Sequence, residues 1–210
     1  MTLLALLRHG DTAWSREGRI QGRTDTVLDA QGRLALTTRR LPARFAHWQL
    51  CSSPLQRCRQ TAKIVARVPP RVESRLAEMQ WGVWEGRTLQ ELRIELGDPM
   101  ARNEARGLDF PPEGGESPRQ VLARVRPWLA ELGAAREPTV AVTHRGVIRV
   151  ILALACGWNM TGKPPARLDW AALHLFRIDP MGVPQLEAAN VALDVVDPAA
   201  MATSPAAARE

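Results

Sequence analysis

In Thr2-Leu3-Leu4-Ala5-Leu6-Leu7-Arg8-His9-Gly10-Asp11-Thr12, an apolar run from Leu3 to Leu7 leads straight into an arginine, a histidine and a glycine. A short apolar run closed by a turn residue predicts a strand buried on both faces, the pattern of a parallel sheet. Its carboxyl end carries a permanent cation, an imidazole that titrates near neutral pH and a backbone hinge. Ligands of open α/β sheets bind along that edge, outside the carboxyl ends of the strands. Other reactive residues delivered to the same edge would make it a site.

Outward from this stretch, strands and helices alternate. A helix is predicted over Asp29 to Arg40, weakened by Gly32 in its first turn, and a second strand over Phe45 to Cys51. Ser53-Pro54 starts a helix running from Leu55 to Ala66, with Pro at the first helical position. Val72 to Leu76 is a third strand leading into Ala77-Glu78. Thr88 caps a helix to Leu96, with Glu91 completing a capping box and Gly97 at the stop. Gly107 to Pro118 is a Pro-, Gly- and Glu-rich loop expected to cover the site. Ser117 then caps a helix to about Ala135, kinked or broken at Pro127. Thr139 to Thr143 is a fourth strand, Gly146 to Cys156 an apolar helix stopped by Gly157, and Leu173 to Ile178 with Gln185 to Ala189 a late hairpin. The expected fold is α/β, a three-layer sandwich with a mostly parallel central sheet and helices on both faces. One domain is expected over 1–196, followed by an Ala/Pro/Ser-rich tail over 197–210 expected to be disordered.

With 45% hydrophobic and 24% charged residues in 210, the composition is that of a soluble globular domain. No apolar run is long enough to span a bilayer, and Arg8-His9 stands where a signal peptide would need small residues. Three cysteines, an odd number, argue for a reducing compartment, so the expected location is cytoplasmic. The net charge of +6 favours anionic partners, yet the arginines are scattered over helices and no nucleic-acid motif is present. No membrane or nucleic-acid partner is expected; oligomeric state is open.

Four segments bring chemistry to one edge if the strands run parallel. His9 follows the first strand, Arg57 lies in the first turn after the second, Glu78 follows the third and His144 the fourth. With Arg8 they form a set suited to a phosphate monoester. Guanidinium forks match its oxygens, a neutral histidine can attack phosphorus, and a carboxylic acid of raised pKa can protonate the leaving oxygen.

These residues also carry a resemblance. Leu7-Arg8-His9-Gly10-Asp11-Thr12, Ser52-Ser53-Pro54-Leu55-Gln56-Arg57, Glu78 with Gly82-Val83-Trp84-Glu85-Gly86, and Thr143-His144-Arg145-Gly146 resemble, in order and separation, the histidine phosphatase (phosphoglycerate mutase-like) superfamily. The Trp84-Glu85-Gly86 block resembles the small bacterial broad-specificity and α-ribazole phosphatases more than the longer mutases. The resemblance implies His9 as a phosphorylated nucleophile, Glu78 as proton donor, Arg8, Arg57 and His144 as the phosphate pocket, and neither metal nor cofactor. Thr12, Ser15, Gln21, Gly22 and Arg145 complete the expected substrate pocket. Ser15 stands where many members have Asn, and Arg145 where a small residue is frequent, which bears on specificity.

Two segments mimic other phosphate-binding motifs. Cys51 to Arg57 matches the Cys-x5-Arg loop of cysteine phosphatases, but it has no Gly, loses an N–H to Pro54 and leaves both histidines idle. Gly157 to Pro164 is one residue short of a Walker A loop and follows a helix instead of a strand. His47 and His174 fall inside strand patterns and read as packed or surface histidines, and most tryptophans as core. The expected activity is phosphomonoester hydrolysis on a small phosphorylated metabolite through a phosphohistidine. The alternatives are an α-ribazole phosphatase, a phosphoglycerate mutase, or a non-catalytic phospholigand- or nucleic-acid-binding protein.

Overall fold

The computed structural model describes residues 1–196; the expected disordered tail over 197–210 lies outside the described residues. In chain order the strands are β1 (Thr2–Arg8), β2 (Arg39–Arg40), β3 (Gln49–Ser52), β4 (Arg71–Val72), β5 (Thr139–Thr143), β6 (Leu173–Ile178), β7 (Pro184–Val191) and β8 (Asp194–Val195). The helices are α1 (Ala13–Arg16), α2 (Ala30–Thr37), α3 (Gln56–Ala66), α4 (Leu89–Leu96), α5 (Asp98–Glu104), α6 (Pro118–Ala135) and α7 (Arg145–Cys156). The main sheet has the order β4-β3-β5-β1-β6-β7, and β2 pairs with β8 apart from it. Pairings from β4 to β1 are parallel, and the two that add β6 and β7 are antiparallel. β1 lies inside the sheet, which is why its side chains are apolar on both faces.

Alternate residues of that strand enter two cores. Leu4 and Leu6 pack with Val125 and Leu129 of α6 and Ile148 and Ile151 of α7. Ala5 and Leu7 pack on the other face with Cys58, Ala62 and Val65 of α3. The sheet is thus covered by helices on both sides, as expected from the alternation. Among the described residues no helix is long and apolar enough to cross a membrane.

Strong local signals landed well. Thr88 and Glu91 form the capping box of α4, Ser117 caps α6, and Gly157 closes α7 in the left-handed conformation. Other boundaries moved. Phe45 belongs to a 3₁₀ turn, Ala43–Phe45, so β3 begins only at Gln49 and His47 sits in an exposed turn instead of a strand. The third strand shrinks to Arg71–Val72 and gives way to a 3₁₀ turn, Ser74–Leu76. The N-cap of α3 is Leu55, which puts Pro54 before the helix. Pro127 does not break α6, which is continuous over 18 residues. Of the tryptophans, Trp84 and Trp128 are buried and the others only partly so. α5 was not anticipated because its residues had no apolar period of their own.

Candidate active site

The register of the parallel pairs builds the site. Arg8 pairs with Thr143, so His9 and His144 leave adjacent strands at the same level, and the His9 N–H donates to the Thr143 carbonyl at 3.0 Å. The two imidazole centroids lie 5.2 Å apart. Ser52 pairs with Val142, which delivers Ser53 and the start of α3 to the same edge. Glu78 arrives through the turn after β4, held to β5 by the Thr143 hydroxyl donating to the Leu76 carbonyl at 2.7 Å. His9, Arg57, Glu78 and His144 therefore meet as the topology requires, with Arg8 beside them.

His9 is 3% exposed, and its Nδ1 lies 2.7 Å from the Gly10 carbonyl oxygen. A carbonyl only accepts, so Nδ1 carries the proton and Nε2 keeps its lone pair. Burial, reinforced by Arg8 and Arg57, pushes the His9 pKa well below the ordinary imidazole value. His144 is fully buried, with Nε2 2.7 Å from the Ser53 hydroxyl and 3.3 Å from the Cys58 sulfur. Burial first, then Arg57 and His9, depress its pKa strongly too. Both rings are neutral near pH 7.

Arg57 is fully buried, and its guanidinium donates to the Gly22 carbonyl at 2.8 Å and the Thr24 carbonyl at 2.9 Å. These acceptors are neutral, and Nε has no hydrogen-bond partner among the described residues. A buried cation without a carboxylate is costly and calls for an anion. Arg8 makes a 3.7 Å contact with Asp11, which also faces Arg16 at 3.8 Å.

Glu78 is buried; one carboxylate oxygen accepts the Met79 N–H at 2.8 Å and the other the Gly146 N–H at 3.2 Å. Gly146 permits that approach, since a Cβ there would fall 2.3 Å from the carboxylate. Burial raises the Glu78 pKa, only partly opposed by the two backbone N–H groups and by Arg57 and Arg124. Such a carboxyl can keep a proton to give away.

The other expected pocket residues divide into supports and open groups. Thr12 is fully buried; its hydroxyl accepts from the Ser15 N–H at 3.1 Å and donates to Gln21 at 3.0 Å. The Ser15 hydroxyl donates to Asp11 and accepts the Thr12 N–H at 2.9 Å. Both hydroxyls are engaged by neighbouring protein groups. Gln21 accepts from Thr12 and Thr26, and Gly22 holds Arg57 through its carbonyl. Arg145 is exposed at the first position of α7, its guanidinium 5.0 Å from the Trp170 ring centre.

Sequence reasoning missed the groups that position these residues. Arg124 donates to the Ala77 carbonyl at 2.8 Å and the Glu78 carbonyl at 3.2 Å, Arg23 to the Glu78 carbonyl at 2.5 Å, and Glu116 braces Arg124 at 2.8 Å. Glu116 belongs to the loop expected over the site, and further backbone bonds tie that loop down: Glu116 to Gln80 and Val83 to Glu113. Glu85 belongs to the Gly82 to Gly86 motif, in which the sequence gives it no role. Its carboxylate accepts the N–H groups of Arg23 and Thr24, the Thr24 hydroxyl and the Trp81 N–H, at 2.6 to 3.2 Å. It thereby holds the turn whose carbonyls grip Arg57. Gly22 is obligatory there, with φ +53° and a Cβ position 1.9 Å from Glu85. A carboxyl separated by just three residues from Trp81, in an otherwise apolar patch, was the available signal.

Glu85→Ala is expected to lower kcat/KM about tenfold or more, a loss of about 1.4 kcal/mol of transition-state stabilisation, because its carboxylate holds the turn whose carbonyls grip Arg57. Thermal melts run beside the kinetics separate this from unfolding; unaltered kinetics in a folded variant would refute the cradle role.

The depressed histidines also set a pH dependence of stability. Their folded pKa values lie below the unfolded value of about 6.5, so the unfolded chain takes up protons that the folded one refuses. Stability is full above that pH and falls as pH drops towards the folded values, by at most about 1.4 kcal/mol per pH unit for each histidine. The raised Glu78 pKa acts with the opposite sign, so urea midpoints of Glu78→Gln at pH 7.5 and pH 5.5 measure it; equal midpoints in that variant would contradict the burial of these rings as neutral groups.

The edge of this open α/β sheet gathers two neutral histidines, two arginines and a buried glutamate, a set suited to binding a phosphate ester. Comparison with known proteins makes the class specific: residues 4–205 match the model of the histidine phosphatase superfamily (branch 1). The chain belongs to that superfamily and is a histidine-type phosphatase. A glucosyl-3-phosphoglycerate phosphatase of Mycobacterium tuberculosis is 36% identical over 165 residues, 71% of this chain and 73% of that one. The structure of mycobacterial glucosyl-3-phosphoglycerate phosphatase with VO3 superposes with a TM-score of 0.71 at 28% identity, covering 93% of this chain and 98% of that one. Phosphoserine phosphatase of Entamoeba histolytica, in complex with 3-phosphoglyceric acid, gives a TM-score of 0.74 at 27% identity over 90% of this chain and 97% of that one.

Proposed function

We propose that this protein hydrolyses phosphomonoesters of small acidic metabolites through a covalent phosphohistidine on His9, without a metal ion, within one domain over 1–196. The carrying observation is the pairing of a neutral His9, proton on Nδ1 and lone pair on Nε2, with a buried Arg57 that faces neutral acceptors only. Nε2 attacks phosphorus while Arg8, Arg57 and His144 hold the equatorial oxygens, whose spreading charge the guanidinium groups neutralise. Glu78 gives its proton to the departing alkoxide. Its carboxylate then takes a proton from water, whose oxygen attacks the phosphohistidine, releasing phosphate and restoring His9.

Water as the final acceptor makes the enzyme a phosphatase; return of the group to a second substrate hydroxyl would make it a mutase. The relatives that act on glucosyl-3-phosphoglycerate or bind 3-phosphoglyceric acid support a phosphoglycerate-type substrate. Free Cys51, Cys58 and Cys156 agree with action in a reducing cytoplasm. The test is phosphate release from a panel of phosphomonoesters in chelator-treated buffer, with isomerised product assayed in parallel. Phosphate release should dominate and survive chelation; dependence on added metal, or isomerisation without release, would overturn this function.

A further inference from the structure

Several surface arginines hold a carboxylate of their own. Arg16, Arg87, Arg93, Arg119 and Arg177 each hold one at 2.5 to 2.7 Å. Arg145 does not: among the described residues its guanidinium is in no ion pair and rests on the Trp170 ring, 5.0 Å from the centroid. Arg149, one turn further along α7, lies in the same way 5.2 Å from the Trp158 ring centre. Arg145 directly follows His144 and is the first residue of α7. Helical side chains lean towards the N-terminus of their helix, which for α7 is the end at the histidines. Its charge reaches the pocket, since after burial and Asp11 it is the next influence on Arg8, and it weakens that guanidinium's hold on its proton.

Charge arithmetic then says what this cation is for. A phosphate monoester brings two negative charges, which Arg8 and Arg57 match. Arg145 is a third positive charge held on an aromatic platform, with its planar N–H edge free. Stacking lowers the entropy lost when such a fork meets a planar anion.

We propose that Arg145, stacked on Trp170, is a second anion subsite that binds a carboxylate carried by the phosphorylated substrate. This rests on the phosphatase function proposed above and deepens it by naming a specificity residue. The distinction from the phosphate pocket is sharp: the pocket groups hold the transferring phosphoryl group, whereas Arg145 holds the part of the substrate that does not react. Its contribution therefore belongs to substrate binding and discrimination.

The experiment compares 3-phosphoglycerate with glycerol 3-phosphate, which keeps the scissile bond and replaces the carboxylate by an uncharged CH2OH. Wild type should prefer 3-phosphoglycerate in kcat/KM by about tenfold or more, equivalent to about 1.4 kcal/mol. Arg145→Gln should collapse that preference through KM, with the larger loss on 3-phosphoglycerate, and Arg145→Lys should restore part of it. Equal losses on both esters, or an unchanged preference, would overturn the subsite. Calorimetric binding of the same two esters to wild type and Arg145→Gln reads the same preference without turnover. If p-nitrophenyl phosphate is hydrolysed through a phosphohistidine while neither assay shows a carboxylate preference, the subsite fails and the phosphatase function stands. If no ester is hydrolysed, the phosphatase function fails and calorimetry alone decides the subsite.

Discussion

Replacing His9 by alanine should reduce turnover of every phosphomonoester by about 10⁴-fold or more, the scale on which loss of a covalent nucleophile acts. The reason lies in one hydrogen bond. With Nδ1–H directed to the Gly10 carbonyl, the lone pair sits on Nε2, and burial between Arg8 and Arg57 keeps the ring from protonating. No neighbouring group duplicates that arrangement, because the His144 Nε2 is already engaged with the Ser53 hydroxyl. Wild type quenched during turnover of ³²P-labelled substrate should carry an acid-labile, base-stable label at position 9, absent from the variant. A folded His9→Ala protein that still turns over substrate, or a wild type labelled elsewhere, would end the covalent mechanism.

Glu78→Gln is expected to show a loss that depends on the leaving group. For an alkyl ester such as 3-phosphoglycerate the departing alkoxide needs a proton, and a general acid supplies about 10²- to 10⁴-fold. For p-nitrophenyl phosphate the departing phenolate is stable near neutral pH, so the same substitution should cost far less. The pH profile carries the same signature. Burial raises the Glu78 pKa above the ordinary carboxylic value, so kcat/KM for the alkyl ester falls as pH rises through it. Burial lowers the His9 pKa, so the acid limb lies below the ordinary imidazole range. Glu78→Gln should abolish the alkaline limb and leave the acid limb in place. Equal losses on both esters would mean that Glu78 positions the pocket and does not donate the proton.

Much of this was legible because it is local. The run Leu3 to Leu7 is apolar on both faces, and only a strand inside a sheet needs that. Thr88 with Glu91, and Ser117 before α6, are caps whose partners lie within one turn. The residue types that follow the strands point to phosphate chemistry without any distance. Where local signals were weak, boundaries slipped. Phe45 to Cys51 reads as a strand by composition, yet the chain turns at Ala43–Phe45 to seat Phe45 in the core, and Pro127 is absorbed by a helix whose apolar face is buried along its length.

From sequence alone came the fold class, the family and the candidate set His9, Arg8, Arg57, Glu78 and His144, because burial pattern and residue chemistry are properties of short segments. Tertiary structure decided what those groups can do. The pairing of Arg8 with Thr143 brings the two imidazoles side by side, the Gly10 carbonyl selects the His9 tautomer, and Gly146 lets Glu78 sit dry against α7. Glu85 holds the turn that grips Arg57 from more than 60 residues away in sequence, as its bond to Arg23 shows with a separation of 62. Tautomer, pKa and charge compensation depend on which groups touch and on the exclusion of water, and both are fixed only when distant segments pack.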